Sequence, residues 1–298
     1  MTATTVTAQR SQSKMRAYLA LTKPRIISLL VFTALGGMFL ASEGAPDPLL
    51  TAFVLAGGAL AAGGANALNH YLDRDIDQLM RRTATRPVAS GNVPPINAMW
   101  FGIALNVAAF AILGWFVNPL SAALTLCATL FYVFVYTMAL KRSTPQNIVI
   151  GGAAGAIPPM VGWVAVTGSL DLPALYMFAI VFFWTPPHFW ALSLLLKDDY
   201  AEAGVPMLPV VAGVRETKRS ILLYTILLTA LTAMFFTTRA VGWVYFVGAL
   251  TLGIGFIYSA YRLMRRPEIE GAKFTYLYSL AYLALLFMLM MIDSVIGV

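Results

Sequence analysis

The sequence predicts an all-α, polytopic membrane protein with nine transmembrane helices, and three observations carry that prediction. The first is composition: 59% of the 298 residues are hydrophobic and only 11% are charged, with a mean hydropathy of +0.77. A soluble domain is nearer half apolar and a quarter charged, so this chain has too few charges to cover a water-facing surface. The second is length. A helix needs about 20 mostly apolar residues to cross a bilayer, and such stretches run over 24–42, 49–70, 95–117, 119–139, 146–167, 173–196, 219–238, 241–262 and 273–296. The third is charge sorting, because Lys and Arg concentrate in cytoplasmic loops. With the N-terminus placed inside, 19 of the 20 basic residues fall on the inner side. One helix more or fewer would scramble that pattern. The C-terminus is then outside.

Taken in order, residues 1–23 form a Ser/Thr-rich cytoplasmic tail with Arg10, Lys14, Arg16 and Lys23 and no acid, and residues 24–298 form the membrane domain. The tail faintly resembles an organellar transit peptide, but the chain reads better as a multi-pass protein of a bacterial plasma (inner) membrane. Lys23 and Arg25 open the first span. The second ends in Arg74, Arg81, Arg82 and Arg86, and the fourth in Tyr136, Lys141 and Arg142. The fifth carries Gly151, Gly152, Gly155 and Pro158-Pro159, and the sixth carries Pro186-Pro187-His188. Lys197, Arg215, Lys218 and Arg219 follow the sixth; Arg262, Arg265, Arg266 and Lys273 join the eighth to the ninth; only Arg239 lies outside. Cys127 is the single cysteine and sits in an apolar run, which excludes a disulfide scaffold. The net charge of +7 is what insertion requires, so no nucleic-acid partner is expected.

Acidic residues locate the chemistry. Nine of the thirteen lie on the inner side, and six of these form two clusters. In the first, Asn69, Asp73 and Asp77 are spaced i, i+4, i+8, which puts them in one stripe of a helix with about 6 Å of rise per step. Oxygen ligands on one stripe at the membrane rim suit Mg²⁺, a hard cation that shares its shell with substrate phosphates. A solvated, acid-capped loop is the plainer explanation for one Asp, less so for three oxygen-bearing side chains in register. The second cluster, Asp198-Asp199 with Glu202, follows the sixth span and emerges on the same face. Together they suggest a Mg²⁺-bound diphosphate whose apolar tail lies in the bilayer. Lys23, Arg25, Arg82, Arg86, Tyr136, Lys141 and Arg142 stand on that side to meet the phosphates, although positive-inside sorting would also put the basic ones there.

Prolines within the fifth and sixth spans are expected to break those helices and free backbone groups that must be satisfied inside protein or at a cavity. The glycines read equally well as close helix packing. His188 is ionisable within a span, and such a residue is a functional candidate by default. His70, at the edge of the first acidic motif, reads as an interface residue.

These residues resemble a known family. Asn69-x₃-Asp73-x₃-Asp77 with Arg82-Thr83-x₂-Arg86-Pro87 is similar to the first signature of the UbiA superfamily of intramembrane prenyltransferases. Asp73-Arg74-Asp75-Ile76-Asp77-x₂-Met80-x-Arg82-Thr83, Leu140-Lys141-Arg142-x₄-Asn147, Gly155-Ala156-x-Pro158-Pro159-x₂-Gly162-Trp163, Pro187-His188-Phe189 and Gly204-Val205-Pro206-Met207-Leu208-Pro209-Val210 resemble its haem-farnesylating branch. The likeness runs from about Leu21 to the final helix. It implies nine helices around a central cavity that opens to the cytoplasmic side. It implies Mg²⁺-dependent transfer of a farnesyl group from farnesyl diphosphate to the 2-vinyl group of haem b. In that reaction Asp73, Asp77 and His188 act in catalysis, and Asn69, Asp73, Asp77, Asp198 and Asp199 hold metal. His188 would serve haem as axial ligand or as proton carrier. The second motif departs from the superfamily's Asp-x₃-Asp, since Leu194 stands at its first position. The expected runner-up is a prenyltransferase acting on a quinone precursor such as 4-hydroxybenzoate. A secondary transporter is disfavoured because midplane charges are missing. A haem A synthase or a terminal oxidase is the assembly partner such a product invites, although no residue announces either.

Overall fold

A computed structural model describes residues 13–297. Residues 1–12 of the tail, with Arg10, and Val298 at the end of the membrane domain lie outside the described residues. Among the described residues, nine helices are long and apolar enough to cross a membrane. A short helix precedes them: α1 (Lys14–Thr22) occupies what the sequence marks as tail, and its Ala17 and Leu21 are buried against Ala67, Val88, Val93 and Ala98. The first spans are α2 (Pro24–Ala41) and α3 (Pro48–Leu72), followed by the short α4 (Arg74–Leu79). Next come α5 (Pro95–Phe116) and α6 (Pro119–Leu130), the latter continuing as a π-helix through Phe131–Leu140. α7 (Asn147–Thr167) and α8 (Leu172–Leu195) lead to the short α9 (Lys197–Glu202) and α10 (Leu208–Val211). α11 (Gly213–Phe235), α12 (Trp243–Arg265) and α13 (Ala272–Ile296) complete the bundle.

Local chemistry fixes where the helices begin. Proline opens α2, α3, α5 and α6, where its missing N–H costs nothing and its φ is already helical. Asp47 and Asn118 add side-chain caps, accepting from Leu50 N at 2.7 Å and Ser121 N at 2.8 Å. α11 starts earlier than its apolar stretch. Its charged first turns, with Arg215, Glu216, Lys218 and Arg219, lie beyond the hydrophobic run and continue the helix past it.

α7 and α8 are the innermost spans: 56% and 61% of their most apolar stretches are buried, against 22% for α5 and for Pro119–Leu140. The outer helices expose Trp100, Val107, Phe110, Phe134 and Trp243, apolar surface that only lipid would tolerate. The main core joins α8, α11, α12 and α13 through Trp184, Phe235, Tyr245, Phe256, Tyr282 and Phe287. One buried acid near the far rim is structural: the Asp293 carboxylate of α13 accepts from the backbone N–H of Gly242 and, at 3.2 Å, of Tyr245, capping α12.

Lipid provides no hydrophobic drive between helices, so packing comes from close backbone approach. A Cβ on Gly64 would meet the Gly102 carbonyl at 2.6 Å, and one on Gly102 the Gly64 carbonyl at 2.8 Å, which clamps α3 to α5. Gly37 and Gly162 do the same for α2 and α7, facing the carbonyls of Pro159 and Ala34. Gly155, by contrast, faces open space.

The structure corrects one expectation. α7 runs unbroken through Pro158-Pro159 and α8 through Pro186-Pro187. Each proline removes one backbone donor, but these are the most buried spans and the helix continues on either side; the Thr185 hydroxyl also bonds the Val181 carbonyl at 2.8 Å. His188 therefore reaches the interior by its place on the helix face, not by a break.

Gly162→Ala should push α2 from α7 and destabilise the detergent-solubilised protein by about 1–3 kcal/mol, seen as a lower Tm. Gly155→Ala, with nothing near its Cβ, should leave Tm unchanged. Equal Tm values for both variants would contradict the close-approach account.

Candidate active site

Spans that alternate in direction bring four junctions to one end of the bundle: after α3, after the π-helix, after α8 and after α12. The site lies there. α3 ends at Asp73, whose φ of −92° and ψ of 7° depart from the helix before α4 restarts. Even so, Asp73 N bonds the Asn69 carbonyl at 2.9 Å and Asp77 N bonds the Asp73 carbonyl at 2.8 Å. The i, i+4 ladder thus passes through the junction and keeps Asn69, Asp73 and Asp77 in one stripe.

All three are buried: Asn69 is 4% exposed, Asp73 0% and Asp77 2%. A buried carboxylate persists as an anion only when paired, and here the partners are specific. Lys141 forms an ion pair with Asp73, Arg142 approaches Asp73 at 3.9 Å, and the Asn69 amide donates to Asp73 Oδ2 at 2.6 Å. Arg86 donates to both Asp77 oxygens at 2.7 and 2.8 Å. Lys23 donates from Nζ to Asn69 Oδ1 at 2.9 Å. Its backbone sits in the left-handed region at φ 54°, a strained conformation for a lysine, at the hinge between α1 and α2. Burial, and then the facing Arg86 and Lys141, push the Lys23 ammonium well below the usual lysine range.

The remaining candidates divide. Asp75 points outward, 61% exposed, and takes two hydrogen bonds of 2.7 Å from Arg142, which hold its carboxyl down to about 2. Tyr136 packs beside Ile76, Met80, Ile148 and Tyr200 under the acidic stripe. Arg25 and Arg82 are exposed, and neither forms an ion pair among the described residues. Asp198 is exposed and Asp199 half-buried on α9. Among the described residues, no three His, Cys, Asp or Glu side chains gather closely enough to hold one ion, so the two acidic clusters are not fused. What joins them is Tyr200 of α9, buried against Ile76 of α4 and Met80 just after it, its hydroxyl proton held more tightly through burial.

Asp73 Oδ1 is sealed from solvent and accepts no hydrogen bond. Together with the Asn69 and Asp77 oxygens it offers the hard-oxygen donor set that suits Mg²⁺.

Residues 30–291 match the UbiA prenyltransferase family. The chain belongs to the UbiA prenyltransferase family. Among curated relatives it is 49% identical to the protoheme IX farnesyltransferase of Roseiflexus sp. (strain RS-1), over 98% of this chain and 55% of the relative. It thus spans about half of that longer protein. To the protoheme IX farnesyltransferase of Gloeobacter violaceus it is 48% identical over 97% of this chain and 96% of the relative. Among solved structures, that of a digeranylgeranylglyceryl phosphate synthase superposes with a TM-score of 0.78 at 19% identity, covering 95% of this chain and 99% of the other. A UbiA homolog from Archaeoglobus fulgidus, bound to DMAPP and Mg²⁺, gives 0.70 at 15% identity, over 94% and 99%.

Three parts of this UbiA site escape sequence reading. The π-helix re-aims one face of the fourth span: Thr137 bonds the Tyr132 carbonyl at 2.9 Å and stands 3.4 Å from the Asn69 amide, and Lys141 N bonds the Tyr136 carbonyl at 2.9 Å. Such segments concentrate at functional sites. Thr83, part of the quoted motif, turns the loop back by donating to the Asp77 carbonyl at 2.9 Å. His70, at 2% exposure, has both ring nitrogens sealed and without partners, so it is an interior residue here and not a rim residue.

Lys141→Met should strand the Asp73 charge and cost about 3 kcal/mol. Asp73→Asn added to it should recover most of that loss in a thermal melt. A double variant no more stable than Lys141→Met would mean the pair is not the stabilising unit.

Proposed function

We propose that this UbiA enzyme transfers the farnesyl group of farnesyl diphosphate to the 2-vinyl carbon of haem b, forming the hydroxyethylfarnesyl group of haem O. The observation that carries the reading is the buried Asn69–Asp73–Asp77 stripe ringed by Lys23, Arg86 and Lys141 at one end of an apolar bundle. Only a polyanion with a lipid-soluble tail needs both halves of that arrangement. The acceptor is supported by the curated relatives, protoheme IX farnesyltransferases at 48% and 49% identity.

In this reading Lys23, Arg86, Lys141 and Arg142 bind the diphosphate, with Arg25 and Arg82 at the solvent edge and Tyr136 beneath. Mg²⁺, held by Asn69, Asp73 and Asp77 and faced by Asp198 and Asp199, neutralises the leaving diphosphate when bound. The allylic C–O bond breaks and its electron pair leaves with the diphosphate. The terminal vinyl carbon bonds the farnesyl carbon. The cation left beside the macrocycle then takes the oxygen of water, and one proton is released. The farnesyl cation must be shielded from water until the vinyl carbon reaches it, and the stacked rings of Tyr132 and Tyr136, centroids 5.4 Å apart, supply an aromatic wall behind the acidic stripe. His188 serves the haem side. We also assign the N-terminus and the opening of the cavity to the cytoplasmic face of a bacterial inner membrane and the C-terminus to the outside, as the sorting of basic residues favours. Residues 24–298 carry the reaction, and haem A synthase or a terminal oxidase is the class of partner that would receive the product.

Membranes containing the protein, given haem b and farnesyl diphosphate, should form haem O as read by mass spectrometry. EDTA should stop the reaction, and Mg²⁺ should restore it. Asp73→Ala and Asp77→Ala should each lower the rate at least about 100-fold while the protein stays in the membrane. Prenylation of 4-hydroxybenzoate with no haem product would favour the quinone-precursor reaction instead.

A further inference from the structure

His188 stands seven residues before the end of α8, about 10 Å inside the bundle from the acidic rim at 1.5 Å per residue. Its imidazole is held on three sides. Trp184 stacks on it at 4.3 Å and 17°, Tyr276 at 5.0 Å and 28°, and Phe189 meets it edge-on at 5.3 Å. Nδ1 lies 2.7 Å from the Ser279 hydroxyl. Trp184 in turn donates from Nε1 to the Ser279 carbonyl at 2.7 Å, so the stacking ring and the hydroxyl share one anchor on α13.

Proton counting fixes the tautomer. The Ser279 oxygen makes two short contacts, 2.7 Å to His188 Nδ1 and 2.6 Å to the Tyr276 carbonyl. A hydroxyl has one proton and a carbonyl has none. The contact with Tyr276 must therefore use the serine proton, because two bare oxygens would repel at that distance. The proton between Ser279 and His188 must then come from Nδ1, which leaves the lone pair on Nε2. Among the described residues that Nε2 has no hydrogen-bond partner. It also keeps some exposed surface, unlike both nitrogens of His70.

We propose that Ser279 is a positioning residue that locks His188 in the Nδ1–H tautomer, and that the freed Nε2 is the atom that ligates the iron of the haem substrate. The inference rests on the haem-farnesylating reading above. Its partner chemistry favours ligation over proton transfer. A general base gains from a carboxylate that stabilises imidazolium, and among the described residues none touches this ring; a hydroxyl instead orients a neutral imidazole, as the hydrogen-bond partners behind metal-bound histidines do. The stacked rings prevent rotation about the axis that would carry Nε2 away. Ligation at this depth would hang the macrocycle below the acidic rim, with the tail of farnesyl diphosphate descending toward it.

The test uses the purified full chain titrated with haem b and, separately, with metal-free protoporphyrin IX. His188→Ala should weaken haem b binding and abolish the Soret band of imidazole-ligated haem, and added imidazole should restore that band. Ser279→Ala should weaken haem b binding about 10-fold or more, and Ser279→Thr, which keeps a hydroxyl, should retain wild-type affinity. Protoporphyrin affinity should be the same in all four proteins, since it offers no iron. If both porphyrins lose affinity together, or if the Soret band is unaltered in His188→Ala, ligation is overturned and the ring serves only to pack. If the wild type forms haem O while its bound haem shows no nitrogen ligand, the inference fails and the proposed reaction stands. If the wild type binds no haem and prenylates another acceptor, both fail.

Discussion

The cost of holding Asp73 and Asp77 as buried anions governs the arrangement of the inner end of the molecule. A carboxylate with no exposed surface at the end of a membrane helix is tolerable only if cations come to it, and three different segments supply four of them. Lys23 arrives from the hinge before α2, Arg86 from the loop after α4, and Lys141 and Arg142 from the end of the π-helix. Each has a structural device behind it: a left-handed backbone at Lys23, the Thr83 tether that folds the loop back, and the wider π turn that sets Lys141 under Asp73. The charge at Asp73 and Asp77 thus gathers the loops, besides the part proposed for it in binding phosphate.

The same end of the bundle shows why a resting ion-pair cage suits a diphosphate. In a low-dielectric setting the cations are already desolvated and aimed, so a polyanion entering among them meets charges that need little reorganisation. The carboxylates keep those cations from repelling one another in its absence, and in the proposed reaction they would serve as metal ligands in its presence. A site made of cations alone would be costly to fold. One made of acids alone would repel the substrate.

Much of this was legible in the sequence, and the illegible parts have physical reasons. Nine spans follow from apolar length, and the observed α2 to α13 match them, apart from α11, whose charged first turns no hydropathy window includes. The stripe Asn69, Asp73, Asp77 follows from helical spacing, and it survives because the i, i+4 bonds continue through the Asp73 junction. Hidden were features decided by tertiary enclosure. The π-helix at Phe131–Leu140 has no residue pattern that requires it. The double prolines read as breaks because a proline removes a donor, yet α7 and α8, the most buried spans, continue as helix through them. Arg25 and Arg82 were indistinguishable from Lys23 and Arg86 in sequence, since positive-inside sorting puts basic residues there whether or not they bind anything. Asp198 and Asp199 do not close on the first cluster, because the element that joins the two is the apolar ring of Tyr200.

The bundle separates two chemical demands along its depth. Charge is confined to the rim, where water and cations are near. Seven residues further in along α8, His188 sits among Trp184, Tyr276 and Phe189 with no carboxylate against it. That separation matters because an allylic cation reacts with whatever nucleophile it meets first. An interior with stray carboxylates or free amines would capture it. Here most polar atoms around the ring are spoken for, the Ser279 hydroxyl and carbonyl by His188 and Trp184 and the Thr185 hydroxyl by the Val181 carbonyl, and the exception is His188 Nε2, which the proposed haem iron would occupy. Satisfying those groups internally is what lipid demands of any buried polar atom. In the proposed reaction the same requirement would leave the acceptor's carbon as the electron-rich partner for the allylic cation, so a constraint imposed by the membrane would also favour the product.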